Sequence, residues 1–397
     1  MSIPIVTIGS ISEQIRGVSY SKTDASDIRL EGYLPILRAG NITESGLTFD
    51  DLVFVPSGKI SNTQKIKKND ILIAASSGSL SVVGKAARAL DDFNGGFGAF
   101  CKVLRPNAKV DPAYFANYFF TSEYRRKISS VAAGANINNL RNSDIDDLEI
   151  PLPPLAEQKR LAAILDKADA IRRKRQQAIE LADEFLRSVF LDMFGDPVTN
   201  PKDFPVGTIR DLVDSVNYGT SSKASEIDGA YPILRMGNIT YNGDWDFTSL
   251  KYIDLAEKEK AKYLVSKGDL LFNRTNSKEL VGKTAVYEED KPMAIAGYLI
   301  RVRPNSDGNN HYISGYLNSM HGKEILMAMC KNIVGMANIN AQELQDIKIL
   351  IPPKKYQDQY ANIVIATKSK VKKLKQALAE ADILFKALSQ RAFAGEL

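Results

Sequence analysis

The sequence predicts a mixed α/β (α+β) protein written twice. Two globular units are separated by two long antiparallel coiled-coil helices, in a tandem repeat with pseudo-two-fold symmetry. Three observations predict this. A set of short motifs returns in the same order about 199 residues later. Each copy opens with about 150 residues of short β-rich runs punctuated by Gly, Asn and Ser. Each copy closes with a stretch of about 39 residues that contains no internal Pro or Gly.

The repeat carries the rest. Pro35–Thr43 (PILRAGNIT) returns as Pro232–Thr240 (PILRMGNIT), and Lys68–Leu72 (KNDIL) as Lys267–Leu271 (KGDLL). Val83-Gly84-Lys85 returns as Val281-Gly282-Lys283, and Arg105-Pro106-Asn107 as Arg303-Pro304-Asn305. Asn136-Ile137-Asn138 returns as Asn338-Ile339-Asn340, and Asp147–Pro154 (DLEIPLPP) as Asp346–Pro353 (DIKILIPP). Offsets stay between 197 and 202, which chance similarity does not produce.

Within each copy the apolar runs Ile71–Ala75, Lys102–Leu104, Asp269–Phe272 and Leu299–Val302 read as strands. Asp111–Lys127 and Asn310–Met329 read as helices. Pro153-Pro154 ends an extended segment, and a helix follows from about Ala156 to Phe194, roughly 58 Å at 1.5 Å per residue. Gly195-Asp196-Pro197 stops it; the second copy runs from about Lys355 to Phe393 and stops at Gly395. The segments are therefore 1–154 (globular), 155–195 (helix), 196–353 (globular) and 354–397 (helix).

The second helix has apolar 3-4 spacing at Val364, Thr367, Val371, Leu374, Leu378, Ala381, Phe385 and Leu388. The same positions in the first are Leu165, Ala168, Arg172, Arg175, Ile179, Ala182, Leu186 and Val189, a seam with apolar ends and a basic middle flanked by Ile164 and Ile171. Matching seams in one chain pair most simply with each other. The alternative is that each helix packs separately on its own globular unit. Antiparallel pairing suits the connectivity, because the first helix must deliver the chain to the second globular unit and the second helix then returns. The expected result is a rod with a globular unit at each end.

Composition excludes several classes. Of 397 residues 44% are apolar and 25% charged, a soluble globular balance. No apolar run approaches the ~18 residues of a membrane span, and the N-terminus lacks a signal-peptide pattern. Cys101 and Cys330 have no neighbouring cysteine, which fits a reducing compartment and a cytoplasmic location. His311 and His321, the two histidines, do not form an HExxH or HNH-type motif. The net charge of +5 is unevenly placed: +1 in 1–154, +1 in 155–195, −2 in 196–353 and +5 in 354–397. Nucleic-acid contact by the globular units must then come from local patches.

Catalytic leads fail one by one. Val281-Gly282-Lys283-Thr284 looks like the end of a phosphate-binding loop, but Ser277 stands where the motif needs Gly, and the repeat copy ends in Ala86. A turn leading into a strand explains it better. Asn94–Gly98 matches no dinucleotide or S-adenosylmethionine fingerprint, and no Asn/Asp-Pro-Pro-aromatic run is present. Glu157-Gln158-Lys159 has nuclease-like spacing but falls in a helix first turn, where a carboxylate suits the dipole.

Recognition remains. Two related but unequal heads suit a ligand with two unequal half-sites at fixed spacing, as duplex DNA provides. The loops Gly17–Lys22, with Tyr20 and Lys22, and Tyr218–Lys223 put Tyr, Ser and Lys beside Gly. Positions shared by the heads, Arg38/Arg235 and Asn41/Asn238, cannot tell two half-sites apart. They point to fold, phosphates or partner docking. Positions that differ are candidates for base readout: Asn273, Arg274, Asn276 and Lys278 against Ala74, Ala75, Ser77 and Ser79. Arg172–Arg175 in mid-helix form either a solvated face or a contact to partners or DNA phosphates.

This layout resembles the specificity subunit of type I restriction–modification enzymes. The resemblance spans the chain and rests on Pro151–Gln158 (PLPPLAEQ) with the helix behind it, the Arg38/Gly40/Asn41/Ile42 and Arg235/Gly237/Asn238/Ile239 sets, and the closing Ala392–Leu397 (AFAGEL). It implies that the heads are target recognition domains, each reading half of a bipartite site on double-stranded DNA. It also implies that the helices set the gap and dock two methyltransferase subunits and motor–nuclease subunits. Leu165, Ile179, Leu186, Val371, Leu374, Leu378 and Phe385 are the candidate coiled-coil and docking positions. No cofactor or metal is expected on this non-catalytic chain; S-adenosylmethionine, ATP and Mg²⁺ are expected on the partners. Lys354-Lys355-Tyr356 departs from the first copy's helix start, so the two docks are expected to differ. The alternatives are a binding scaffold with a coiled-coil spacer unrelated to restriction, and an enzyme whose motifs escape this reading.

Overall fold

A computed structural model of the protein describes residues 3–43, 46–79, 81–133, 139–330 and 336–397. Asn136-Ile137-Asn138 lies outside them. The chain divides into two compact units, residues 1–177 with 375–397, and residues 178–374.

The first unit is built on an antiparallel sheet in the spatial order Ser12–Arg16, Cys101–Pro106, Ile71–Ala74, Ala86–Arg88. Ile71–Ala74 is buried on both faces, so it reads as an unbroken apolar run. Its side chains still alternate: Ile71 and Ile73 enter a core with Tyr114, Phe115 and Tyr124, while Leu72 and Ala74 enter another with Leu37, Phe97 and Val103. A smaller sheet pairs Tyr33–Leu37 antiparallel with Val53–Pro56 and parallel with Gly96–Phe97. Ile5–Thr7 pairs with Glu149–Pro151 just before the long helix.

The second unit repeats this plan. Its main sheet runs Val213–Tyr218, Leu299–Pro304, Leu270–Asn273, Thr284–Val286. Leu270 and Phe272 face one core and Leu271 the other. Tyr231–Leu234 again has one antiparallel and one parallel neighbour, and Val206–Thr208 pairs with Lys348–Leu350.

Shared residues turn out to hold the frame. Asn41 Oδ1 accepts from the Arg38 amide at 2.8 Å and its Nδ2 donates to Asp50 O; Asn238 does the same with Arg235 and Asp246. Arg105 makes a two-pronged ion pair with the buried Asp70, and Arg303 repeats it on Asp269. Gly84 and Gly282 have φ of +75° and +80°; a Cβ there would meet Ile128 at 2.3 Å and Leu326 at 2.6 Å. The phosphate-loop lookalike is thus a left-handed turn under a helix, followed by strand Thr284–Val286.

Each expected mid-unit helix is in fact two. Pro112–Tyr118 and Ser122–Ala133 replace Asp111–Lys127, and Asn310–Asn318 and Met320–Met329 replace one continuous span. The breaks have one cause. Thr121 Oγ1 accepts from the Tyr124 amide and Ser319 Oγ from the Gly322 amide, so a hydroxyl starts a new helix.

The long helices run Leu155–Phe194 and Lys354–Ala394, and Gly195 and Gly395 end them at φ of +77° and +74°. Gln158, buried, donates to Pro153 O and accepts from the Asp111 amide; Gln357 donates to Pro352 O and Asp307 O. The second copy therefore keeps the Gln clamp despite its altered start. In the first unit the two helices run antiparallel: Arg172 Nε donates to Asp382 at 2.5 Å and Arg175 to Ala377 O. Leu165 and Phe385 are buried there and Leu378 half-buried. In the second unit Phe190 and Phe194 pack on Tyr360, each with centroids 5.5 Å apart. Ile179, Leu186, Val371 and Leu374 are half-buried.

The basic mid-seam is accommodated by pairing, not left as a uniformly solvated face. Arg172 bonds Asp169 and Asp382 and lies 4.7 Å from the Phe385 ring centroid, and Arg173 bonds Asp169. Lys174 is exposed. Ile171, 43% exposed, lies off the seam.

Candidate nucleic-acid interface

Three stretches converge at the same place in each head: the loop after the first sheet strand, the turn after the central strand, and the residue that precedes the long inner strand. In the second head strand Val213–Tyr218 ends at Tyr218, and Gly219 follows. A Cβ at Gly219 would lie 2.3 Å from Ala296 O, so only glycine lets the loop cross here. Thr220 then locks it, donating to Ile295 O and accepting from the Gly297 amide. The first head does the same: Gly17 abuts Gly98 O, and the Val18 amide donates to Phe97 O.

The turn after the central strand is held identically in both heads. The Arg274 amide donates to Tyr298 O and its carbonyl accepts from the Ile339 amide. At the same register the Ala75 amide donates to Phe100 O and its carbonyl accepts from the Leu140 amide. Thr275 pairs with Asn338 as Ser76 pairs with Asn139. One backbone frame therefore carries different side chains. Ala75 is 3% exposed and presents nothing polar. The Arg274 guanidinium stacks 4.6 Å from the Tyr218 ring centroid, and its Nε donates to Asn338 Oδ1 at 3.2 Å. Tyr218 Oη accepts from the Ala341 amide, which fixes the ring. Both Arg274 Nη groups are left without a hydrogen-bond partner among the described residues. They are two open donors on one planar guanidinium, an arrangement that suits a two-pronged acceptor.

The other candidates fall into place around this frame. Tyr20 is half-buried beside Gly98, and burial pushes its phenol above the ordinary value, against the opposing pull of Arg38. Lys22 and Lys223 are exposed on the two loops. Ser77 Oγ accepts from the Ser79 amide, and Ser79 is exposed with its hydroxyl against Ser81. Asn276 is half-buried, with its Oδ1 bonded to the Ser277 amide. Lys278 lines a cleft beside Lys283 and Lys323. Asn273 is a correction. Its side chain is 0% exposed and its Nδ2 donates to Leu280 O, so it braces the turn and cannot meet a base.

Sequence reasoning missed two aromatics and one amide. Phe100 is 70% exposed and Tyr298 52% exposed, at matching positions just before the inner strand. An aromatic beside an apolar strand is counted as core, so only the repeat's shared aromatic could have marked them. Asn338 appeared only as a repeat marker, yet it orients Arg274.

Among the described residues no group of three or more His, Cys, Asp and Glu is placed to hold a metal ion, and no helix is long and apolar enough to cross a membrane. Glu157, of the nuclease-like spacing, is engaged by Arg160 at 2.7 Å, which holds its carboxyl below the ordinary value.

Comparison with known proteins agrees with the tandem plan. The family model described as "Type I restriction modification DNA specificity domain" matches twice, at residues 4–181 and 201–380. The type I restriction enzyme EcoKI specificity subunit of Escherichia coli K12 is 33% identical, over 99% of this chain and 89% of its own. The StySPI specificity subunit of Salmonella potsdam is 32% identical, over 98% and 88%. The crystal structure of a type I restriction–modification S subunit from M. genitalium shares the fold, with a TM-score of 0.60 at 17% identity, covering 99% of this chain and 96% of that one.

Proposed function

The chain belongs to the type I restriction–modification DNA specificity family, and we propose that each of its heads reads one half of a bipartite site on double-stranded DNA. Neither the scaffold unrelated to restriction nor an undetected enzyme finds support in the matches. In this reading Tyr20, Lys22, Ser77 and Ser79 face the first half-site. Tyr218, Lys223, Arg274, Asn276 and Lys278 face the second.

The observation that carries the reading is the shared backbone frame with unequal contents: Arg274 held by Tyr218 and Asn338 in one head, the small buried Ala75 in the other. A common frame docks both heads on the duplex in the same way, and unequal side chains give unequal half-sites. The chain supplies recognition and no bond-making step. Two methyltransferase subunits and motor–nuclease subunits bring S-adenosylmethionine, ATP and Mg²⁺.

The helices set the gap between half-sites and carry the docks. Apolar residues off the seam support docking: Leu181 and Phe185 on the first helix, Ile383 and Leu384 on the second, all exposed. So does a repeated pair, Ile5 at 64% and Val206 at 65% exposure, on matching strands of the two units. Two equivalent apolar spots suit two copies of one partner.

Selection of duplexes from a random library by the full chain with its methyltransferase tests the reading. Recovered duplexes should share two unequal conserved blocks with a fixed, unconserved gap. One continuous block, or no enrichment, would refute it.

A further inference from the structure

The second head contains a cleft beside the turn that carries Arg274. It is lined by Tyr241, Lys278, Glu279, Gly282, Lys283 and Lys323, between the turn that begins at Arg274 and the helix Met320–Met329. Three lysines and one glutamate are among its lining residues, and the glutamate brings its one carboxylate. That carboxylate is already engaged, by the Ser277 hydroxyl and its own backbone amide. Lys323 donates to Tyr241 O at 2.8 Å and lies over the Tyr241 ring. The side chains of Lys278 and Lys283 make no hydrogen bond or ion pair among the described residues, although the charge of Lys278 helps hold the Glu279 carboxyl below its ordinary value.

Burial without a counter-charge leaves its mark on Lys283 and Lys323. It lowers the Lys283 ammonium from its ordinary value and brings Lys323 down to about 8, with Arg187 pushing the same way. Such a group of half-desolvated cations has an unmet need for an anion.

The first head shows the alternative solution at the same place. Arg125 takes the position of Lys323 on the matching helix. Its guanidinium donates to Val83 O at 3.0 Å and Ser81 O at 3.4 Å, so it is used to tie down the turn. Ser79 stands where Lys278 does, and only Lys85 persists opposite Lys283. Among the described residues, this cluster of three lysines therefore belongs to the second head.

We propose that this cleft seats one backbone phosphate of the DNA, next to the base pair that Arg274 faces, through Lys278, Lys283 and Lys323. The inference rests on the second head being a DNA reader. Lys278 lies four residues beyond Arg274 on one turn, so a base edge at Arg274 and a phosphate at the cleft would be contacted by the same loop. Phosphate contacts of this kind set register and add affinity without sequence information.

The test uses the full chain and a duplex recovered by library selection. Lys283→Met with Lys323→Met should reduce the slope of log affinity against log salt concentration by about 0.9, the loss of one phosphate contact on B-DNA. The ranking of duplex sequences should stay the same. Lys323→Arg should restore the slope, which a folding defect would not allow. Replacing the phosphates around the second half-site one at a time with neutral methylphosphonate should weaken the parent protein at one position where the double variant loses nothing further. The proposal is overturned if the double variant keeps the parent slope, or if it is weakened at every position as the parent is. If the parent does not distinguish selected from scrambled duplex, the DNA reading itself fails and the proposal falls with it.

Discussion

Arg274→Ala should abolish discrimination at one base pair of the second half-site and leave every other position unchanged. The geometry sets the magnitude. Nε is committed to Asn338 and the guanidinium plane to Tyr218, so the two Nη groups project as a pre-oriented fork. A bidentate contact of that kind is worth roughly 1–3 kcal/mol of discrimination, or about 5- to 150-fold between guanine and the other bases. Arg274→Lys keeps the charge and loses the fork, so it should lose the discrimination while retaining most of the affinity. Asn338→Ala should act in the same direction more weakly, because the fork survives without its tether. The assay is competition binding with duplexes substituted one base pair at a time across both half-sites. If Arg274→Ala lowers affinity equally for all duplexes, Arg274 contacts a phosphate and the readout role is wrong.

Three further outcomes follow from the same structure. Phe385→Ala, at 3% exposure and under the Arg172 guanidinium, should destabilise the first unit by about 3 kcal/mol, read from denaturant unfolding of the full chain; a change below about 1 kcal/mol would mean that the helix seam does not hold the unit together. Adding one heptad to both long helices lengthens each by about 10.5 Å, so a gap-randomised library should return a preferred gap larger by up to about three base pairs, with both half-site sequences kept. Recovery of the original gap by a well-folded lengthened protein would remove the helices as the ruler. The isolated chain should transfer no methyl group from S-adenosylmethionine and cleave no DNA with Mg²⁺ and ATP, which incorporation and nicking assays on pure protein check.

The tandem plan, the strands and the long helices were legible because their signals are long-range or periodic. Self-similarity of the PILR-x-GNIT segments and of the DLEIPLPP/DIKILIPP pair is visible without any packing, and a seam of eight positions outweighs two out-of-place arginines. What stayed hidden depends on single side chains finding partners distant in sequence. Asn273 looked like a polar loop residue, but the turn folds its amide back onto Leu280 O. Thr121 and Ser319 sit in helical patterns, and only the capping geometry shows that each ends one helix and starts another. Arg172 and Arg175 looked out of place in an apolar seam, because Asp382 and Ala377 O are some two hundred residues away in sequence. The readout frame was half legible. The contrast of Arg274 with Ala75 came from aligning the repeats, but its support by Tyr218 and Asn338 required three separate strands to meet.

If one chain specifies two unequal half-sites at a fixed spacing, methylation in the cell must carry that pattern. Base-resolution mapping of adenine methylation in DNA from cells carrying this chain and its methyltransferase subunit tests it most directly. The methylated sites should share a single bipartite motif, two unequal blocks around a constant gap of unspecified bases, and should disappear when the chain is deleted. A continuous motif, or methylation that persists without the chain, would contradict it.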